Sequence, residues 1–133
     1  MAALGPDPSL LIVDDDEPFL KRLARAMEKR GFEVETAESV AGGLAIATAR
    51  PPAYAVIDLR LEDGNGLDVV ERIREKREDS RIVVLTGYGA IATAVAAVKI
   101  GATDYLSKPA DANDVTAALL ATDDELPPPP ETR

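Results

Sequence analysis

Short aliphatic runs alternate with longer amphipathic ones along the chain. Leu10-Leu11-Ile12-Val13, Tyr54-Ala55-Val56-Ile57 and Ile82-Val83-Val84-Leu85 are near-continuous apolar runs, the pattern of parallel strands buried on both faces. Glu33 to Ala37 alternates around Val34 and reads as an outer strand, and Thr103 to Leu106 as a short fifth one. Between them, Leu20, Leu23, Ala24 and Met27 recur at helical spacing with Lys and Arg in the gaps. Asp16-Glu17-Pro18 gives that helix a capping carboxylate, a first-turn acid and an early proline, and Gly31 ends it. Ser39 caps a weaker helix to Ala49, whose Gly42-Gly43 pair costs about 2 kcal/mol of helix propensity against alanine. Leu67, Val70 and Ile73 mark a third helix, Ala90 to Ile100 an alanine-rich fourth closed by Gly101, and Asp111 to Leu120 a fifth. The order is (βα)5: an α/β chain with a doubly wound five-stranded parallel sheet between two helical layers.

Composition narrows the chemistry. A length of 133 residues suits one domain, and 46% hydrophobic with only 4% aromatic residues implies a mainly aliphatic core. The net charge of -9 disfavours direct contact with nucleic acid or an anionic membrane. Without cysteine or histidine, thiol and imidazole chemistry are excluded, so any metal or acid–base role falls to carboxylates, lysine or tyrosine. No stretch approaches the roughly 20 apolar residues of a membrane span, and Met1 to Ser9 lacks signal-peptide character. A cytoplasmic location is expected. Residues 1–9 read as a flexible N-terminal segment, 10–121 as the domain, and 122–133 as a linker. That linker carries Asp123-Asp124-Glu125 and the run Pro127 to Pro130, an extended spacer toward a further domain.

Candidate chemistry sits just past the strands, where ligands bind in open α/β sheets. Asp14-Asp15-Asp16 follows the first strand and Asp58 the third. Carboxylates brought together repel, and a hard cation such as Mg2+ relieves them. Asp14 and Asp15, with Asp58, water and a backbone carbonyl near Arg60, form such a ligand set; the plainer reading is a loop of solvated acids, and Asp16 is a helix cap. Asp58 can accept a phosphoryl group as a nucleophile, or be one more metal ligand or a loop acid. Lys108, before Pro109, can set an ammonium against phosphoryl oxygens, and Thr86 can donate its hydroxyl; an ordinary surface lysine and a strand-ending threonine are the alternatives. The Lys108-Pro109 bond can be cis or trans. Tyr105 reads either as a half-buried strand aromatic or as a ring that reports the state of the crevice.

The ordered set Leu11-Ile12-Val13-Asp14-Asp15-Asp16, Asp58 with Gly64 and Gly66, Leu85-Thr86-Gly87 and Lys108-Pro109 resembles the receiver domain of bacterial two-component response regulators, from Leu10 to about Ala121. The phrases LTGYG and GATDYLSKPA, with the proline run, are most similar to the global redox and photosynthesis regulators RegA, PrrA and ActR. The resemblance implies a CheY-like, flavodoxin-like three-layer sandwich in which Asp58 is the phosphoacceptor. Asp14, Asp15, Asp58 and the Arg60 carbonyl would hold Mg2+, Lys108 and Thr86 would contact the phosphoryl group, and Thr86 and Tyr105 would form a switch pair. It implies a sensor histidine kinase as donor and a C-terminal helix-turn-helix domain as effector, with transcription as the output. Pairing of two copies would use the face of the fourth helix, fifth strand and fifth helix. Slow autodephosphorylation is expected rather than conventional turnover. The chain departs from the family at Glu62, where many receivers have proline, and at Ala110, where many have an aromatic residue. Two rivals are a small Mg2+-dependent phosphohydrolase with Asp14 as nucleophile and Asp16 as acid, and a pseudo-receiver that docks partners without phosphorylation.

Overall fold

The structure is a computed structural model and describes residues 6–87, 91–108 and 110–120. The expected start of the fourth helix at Ala90, the Pro109 peptide bond and the tail after Leu120 lie outside these residues. In chain order the elements begin β1 (Ser9–Val13), α1 (Glu17–Lys29), β2 (Glu33–Ala37), α2 (Val40–Ala49) and β3 (Tyr54–Asp58). A short hairpin follows, β4 (Arg60–Leu61) and β5 (Gly64–Asn65), then α3 (Leu67–Lys76) and β6 (Arg81–Thr86). α4 (Ile91–Lys99), β7 (Asp104–Ser107) and α5 (Ala112–Leu120) complete the described fold.

The five long strands form one parallel sheet in the order β2-β1-β3-β6-β7. The chain steps outward from β1 to β2 and then returns to the other side of β1 with β3. That reversal opens a crevice beyond the carboxyl ends of β1 and β3. Alternation along the strands divides the core into two halves. Leu11, Val13, Ala55, Ile57, Ile82 and Val84 pack with Ala47 of α2, Val69, Val70 and Ile73 of α3 and Ala97 of α4. Leu10, Ile12, Val56, Val83 and Leu85 face Leu20, Leu23 and Met27 of α1 and Val115 and Leu119 of α5.

Local signals stop and start the helices as expected. Asp16 Oδ1 accepts from Phe19 N at 3.2 Å at the start of α1. At its end Gly31 takes φ 100°, so that the Gly31 and Phe32 amides close back on the Glu28 and Met27 carbonyls. The glycine pair in α2 also acquires a reason. A Cβ at Gly43 would lie 3.1 Å from both Val13 Cγ2 and Val69 Cγ2, so a side chain would push α2 off β1 and α3.

Two features were not anticipated. The β4–β5 hairpin lies within the link between Asp58 and α3. Residues 7–9, assigned from sequence to the N-terminal segment, make specific contacts: Ser9 is in β1, the Pro8 carbonyl accepts from Glu33 N at 2.9 Å, and Asp7 pairs with Arg77 at 2.7 Å. The Asp7 partner is 70 positions away, beyond the reach of any local pattern. Among the described residues no helix is long and apolar enough to cross a membrane.

Candidate functional site

β1, β3, β6 and β7 each deliver one station to the same rim. β1 pairs with β3, which places the residue after Val13 beside the end of β3. One oxygen from each of Asp14, Asp15 and Asp58 can lie within 4.8 Å of the others. Lys108 follows β7 and its amide donates to the Thr86 carbonyl at 2.7 Å, so the lysine is set by the end of β6. Its Nζ stands 3.0 Å from Asp14 Oδ2 and 3.0 Å from Asp58 Oδ2.

Each carboxylate is also held by backbone. Asp14 Oδ1 accepts from Asp16 N at 2.9 Å, Asp58 Oδ1 from Arg60 N at 3.0 Å, and Asp15 Oδ2 from Glu62 N at 3.0 Å. The packing behind Asp58 is tight, since a Cβ at Gly66 would meet the Asp58 carbonyl oxygen at 2.3 Å. Only glycine lets α3 start so close to the end of β3.

The charges at the rim do not balance: three carboxylates face one ammonium. Burial pushes the Asp14 carboxyl above its ordinary range and the Asp58 charge adds to that, while the Asp16 amide and Lys108 offset only part. Burial also opposes the charge on Lys108, but the two carboxylates outweigh it and hold the lysine above its usual value. Asp14 Oδ2 lies within ion-pair distance of Lys108, yet among the described residues no donor meets it in hydrogen-bond geometry. The buried Thr86 hydroxyl likewise has no partner among them. An unmatched acceptor and an unmatched hydroxyl at an acid-rich rim fit a cation and an anionic oxygen group respectively.

Asp14, Asp15, Asp58 and Lys108 gather here, beside the end of β6 at Thr86. Arg60 contributes its amide to Asp58 while its side chain is exposed. Tyr105 is half-buried in β7 and packs on the core half that contains α4, in register with Val84 rather than at the carboxylate cluster. Asp16 is occupied as the α1 cap. Sequence reading missed Phe19, whose ring centroid lies 5.3 Å from Lys108 Nζ; no local signal marks that pairing. It also missed the Glu62 amide, although the run Asp63-Gly64-Asn65-Gly66 carries the turn chemistry that announces a hairpin.

A doubly wound parallel sheet with this acid–lysine–hydroxyl rim defines a phosphoryl-accepting receiver domain. Residues 10–120 match the response regulator receiver domain model, and the chain belongs to that family. It is closely related to the RegA/ActR regulators. The photosynthetic apparatus regulatory protein RegA of Rhodovulum sulfidophilum is 82% identical over 128 residues, covering 96% of this chain and 70% of that protein. The acid tolerance regulatory protein ActR of Rhizobium meliloti is 68% identical over 128 residues, covering 96% and 66%. A crystal structure of a response regulator from Burkholderia pseudomallei, with a phosphorylated aspartic acid, calcium ion and citrate, superposes with a TM-score of 0.80 at 42% identity, covering 85% of this chain and 66% of that one.

Proposed function

We propose that Asp58 is the phosphoacceptor and that a sensor histidine kinase is the donor. A carboxylate oxygen of Asp58 attacks phosphorus, the phosphorus–nitrogen bond of the donor phosphohistidine breaks, and the imidazole leaves with the electron pair. Lys108 turns its ammonium from the carboxylates toward the developing phosphoryl oxygens, and the Thr86 hydroxyl donates to one of them. Asp14, Asp15, Asp58 and the Arg60 carbonyl would hold Mg2+, which supplies charge neutralisation on the transferring group. The observation that carries the reading is the single ammonium 3.0 Å from both Asp14 and Asp58, which ties the ends of β1, β3 and β7 to one reacting point. The phosphorylated aspartic acid and calcium ion in the Burkholderia relative support it by likeness.

Output follows from the same rim. Thr86 and Tyr105 stand two positions apart in the β6–β7 ladder, as Val84 pairs with Tyr105 and Thr86 with Ser107, and they form the proposed switch pair. Val95 and Val98 of α4 are exposed large apolar side chains. They support pairing of two copies through α4, β7 and α5, with a C-terminal helix-turn-helix domain as the effector. Against a hydrolase that uses Asp16 as its acid stands the capping bond that already occupies that carboxylate.

Incubation with acetyl phosphate and Mg2+, followed by mass analysis, tests the assignment. One phosphoryl group is expected on Asp58 and none in Asp58→Asn, with the variant still folded. Normal incorporation into that variant removes Asp58 from its role, and turnover of many esters per chain favours the hydrolase.

A further inference from the structure

The start of α2 is capped from outside its own sequence neighbourhood. Its first turn holds no acidic residue, although a helix N-terminus has free amides and favours negative charge. Ser39 Oγ accepts from Gly42 N at 3.0 Å. The two preceding amides, Val40 N and Ala41 N, donate to Asp63 Oδ1 at 2.8 Å and Asp63 Oδ2 at 3.1 Å. Asp63 belongs to the turn of the β4–β5 hairpin, so both its oxygens tie that turn to α2. Those two amides hold its carboxyl below the ordinary range.

The other side of the hairpin meets the carboxylate rim. Arg60 N, in β4, reaches Asp58, while Glu62 N, at the start of the hairpin turn, reaches Asp15. Leu61 between them is buried in the core. The Glu62 amide therefore fixes one oxygen of Asp15 and leaves the other for a cation. A ligand already held in place loses less freedom on binding.

We propose that Asp63 is a positioning residue for the divalent-cation site: by capping α2 it sets the hairpin turn from which the Glu62 amide grips Asp15. The inference rests on the cation reading of Asp14, Asp15 and Asp58. It adds a restraint that passes through the backbone of the hairpin rather than through any ligand. A proline at position 62 would have no amide to give.

The test is calorimetric Mg2+ titration together with amide hydrogen exchange on the 133-residue chain. Asp63→Ala is expected to weaken Mg2+ binding about 10-fold, the lower end for loss of a ligand's supporting group, and to speed exchange at Glu62, Val40 and Ala41. Asp63→Asn keeps one acceptor oxygen and is expected to lose less. Glu62→Pro deletes the last link and is expected to weaken binding as Asp63→Ala does. Ser39→Ala uncaps the same helix without touching the hairpin and is expected to leave Mg2+ affinity unchanged. Wild-type affinity in Asp63→Ala with Glu62 still protected overturns the proposal, as does an equal loss in Ser39→Ala. If Asp63→Ala does not fold, wild-type affinity in both Asp63→Asn and Glu62→Pro overturns it. Absence of Mg2+ binding by the wild type removes the cation reading instead, and Glu62 exchange in Asp63→Ala still decides whether Asp63 holds the turn.

Discussion

The two ends of the sheet each carry an acid–base cluster, and they are built in opposite ways. At the amino end Arg77 meets Asp7 at 2.7 Å and Asp79 at 3.2 Å, all three partly or well exposed. The Arg77 hydrogen bond leads the Ser9 bonds in holding the Asp7 carboxyl down at about 2. At the carboxyl end Asp14 has no exposed side-chain surface, shares one ammonium with Asp58, and is pushed above its ordinary range by burial. The first cluster is satisfied as it stands. The second is short of positive charge, which is what a site for a cation and a transferring anion requires.

Removal of the one cation from the carboxyl end should give the largest effect. Lys108→Met leaves buried carboxylates facing one another. In chelator it is expected to lose about 3 kcal/mol of stability, the low end for breaking a buried pair because the lysine is partly open to solvent. Urea unfolding should show much of that loss recovered in Mg2+; a loss that Mg2+ leaves untouched would point to packing of the lysine stem.

Slightly smaller is the response to the ion itself. Mg2+ at about 100 times its dissociation constant should stabilise the wild type by about 2.7 kcal/mol. Asp14→Asn should be at least as stable as wild type in chelator, since it removes a buried charge, and should gain nothing from Mg2+. An Mg2+ gain of wild-type size in that variant would remove Asp14 from the ligand set.

The amino end should give the smallest effect. The folded Asp7 carboxyl lies below its ordinary value of 3.8, so its contribution is complete above about pH 4 and fades as pH falls toward 2. For so exposed a pair it amounts to less than about 1 kcal/mol. Asp7→Asn should therefore lower the melting temperature slightly at neutral pH, and by less and less as pH falls through about 2. A difference that keeps its neutral-pH size through that range would assign the effect to the Ser9 amide, which also donates to Asp7.

Strand and helix identities were legible because β1, β3 and β6 are apolar runs, β2 alternates, and α1 and α3 carry helical periodicity. The cap at Asp16 and the stop at Gly31 were legible because their chemistry is local. The hairpin was missed because its strands are two residues each, too short to show any period, although the turn residues from Asp63 to Gly66 marked its place. Nothing local marks the role of Asp63, because its partners Val40 and Ala41 lie 23 and 22 positions away. Gly43 of α2 registered only as part of a propensity cost until Val13 and Val69 showed how closely the helix packs there.

Sequence alone determined which side chains were available to the rim and that each would lie at the end of a strand, since strand ends are written in local hydrophobic pattern. Only the tertiary structure decided how their charges were shared: which carboxylates take the lysine, which take a backbone amide, and which oxygen is left unmatched. Those outcomes depend on distances between groups far apart in the chain, and Coulomb and hydrogen-bond energies fall off too steeply with distance for any linear pattern to encode them.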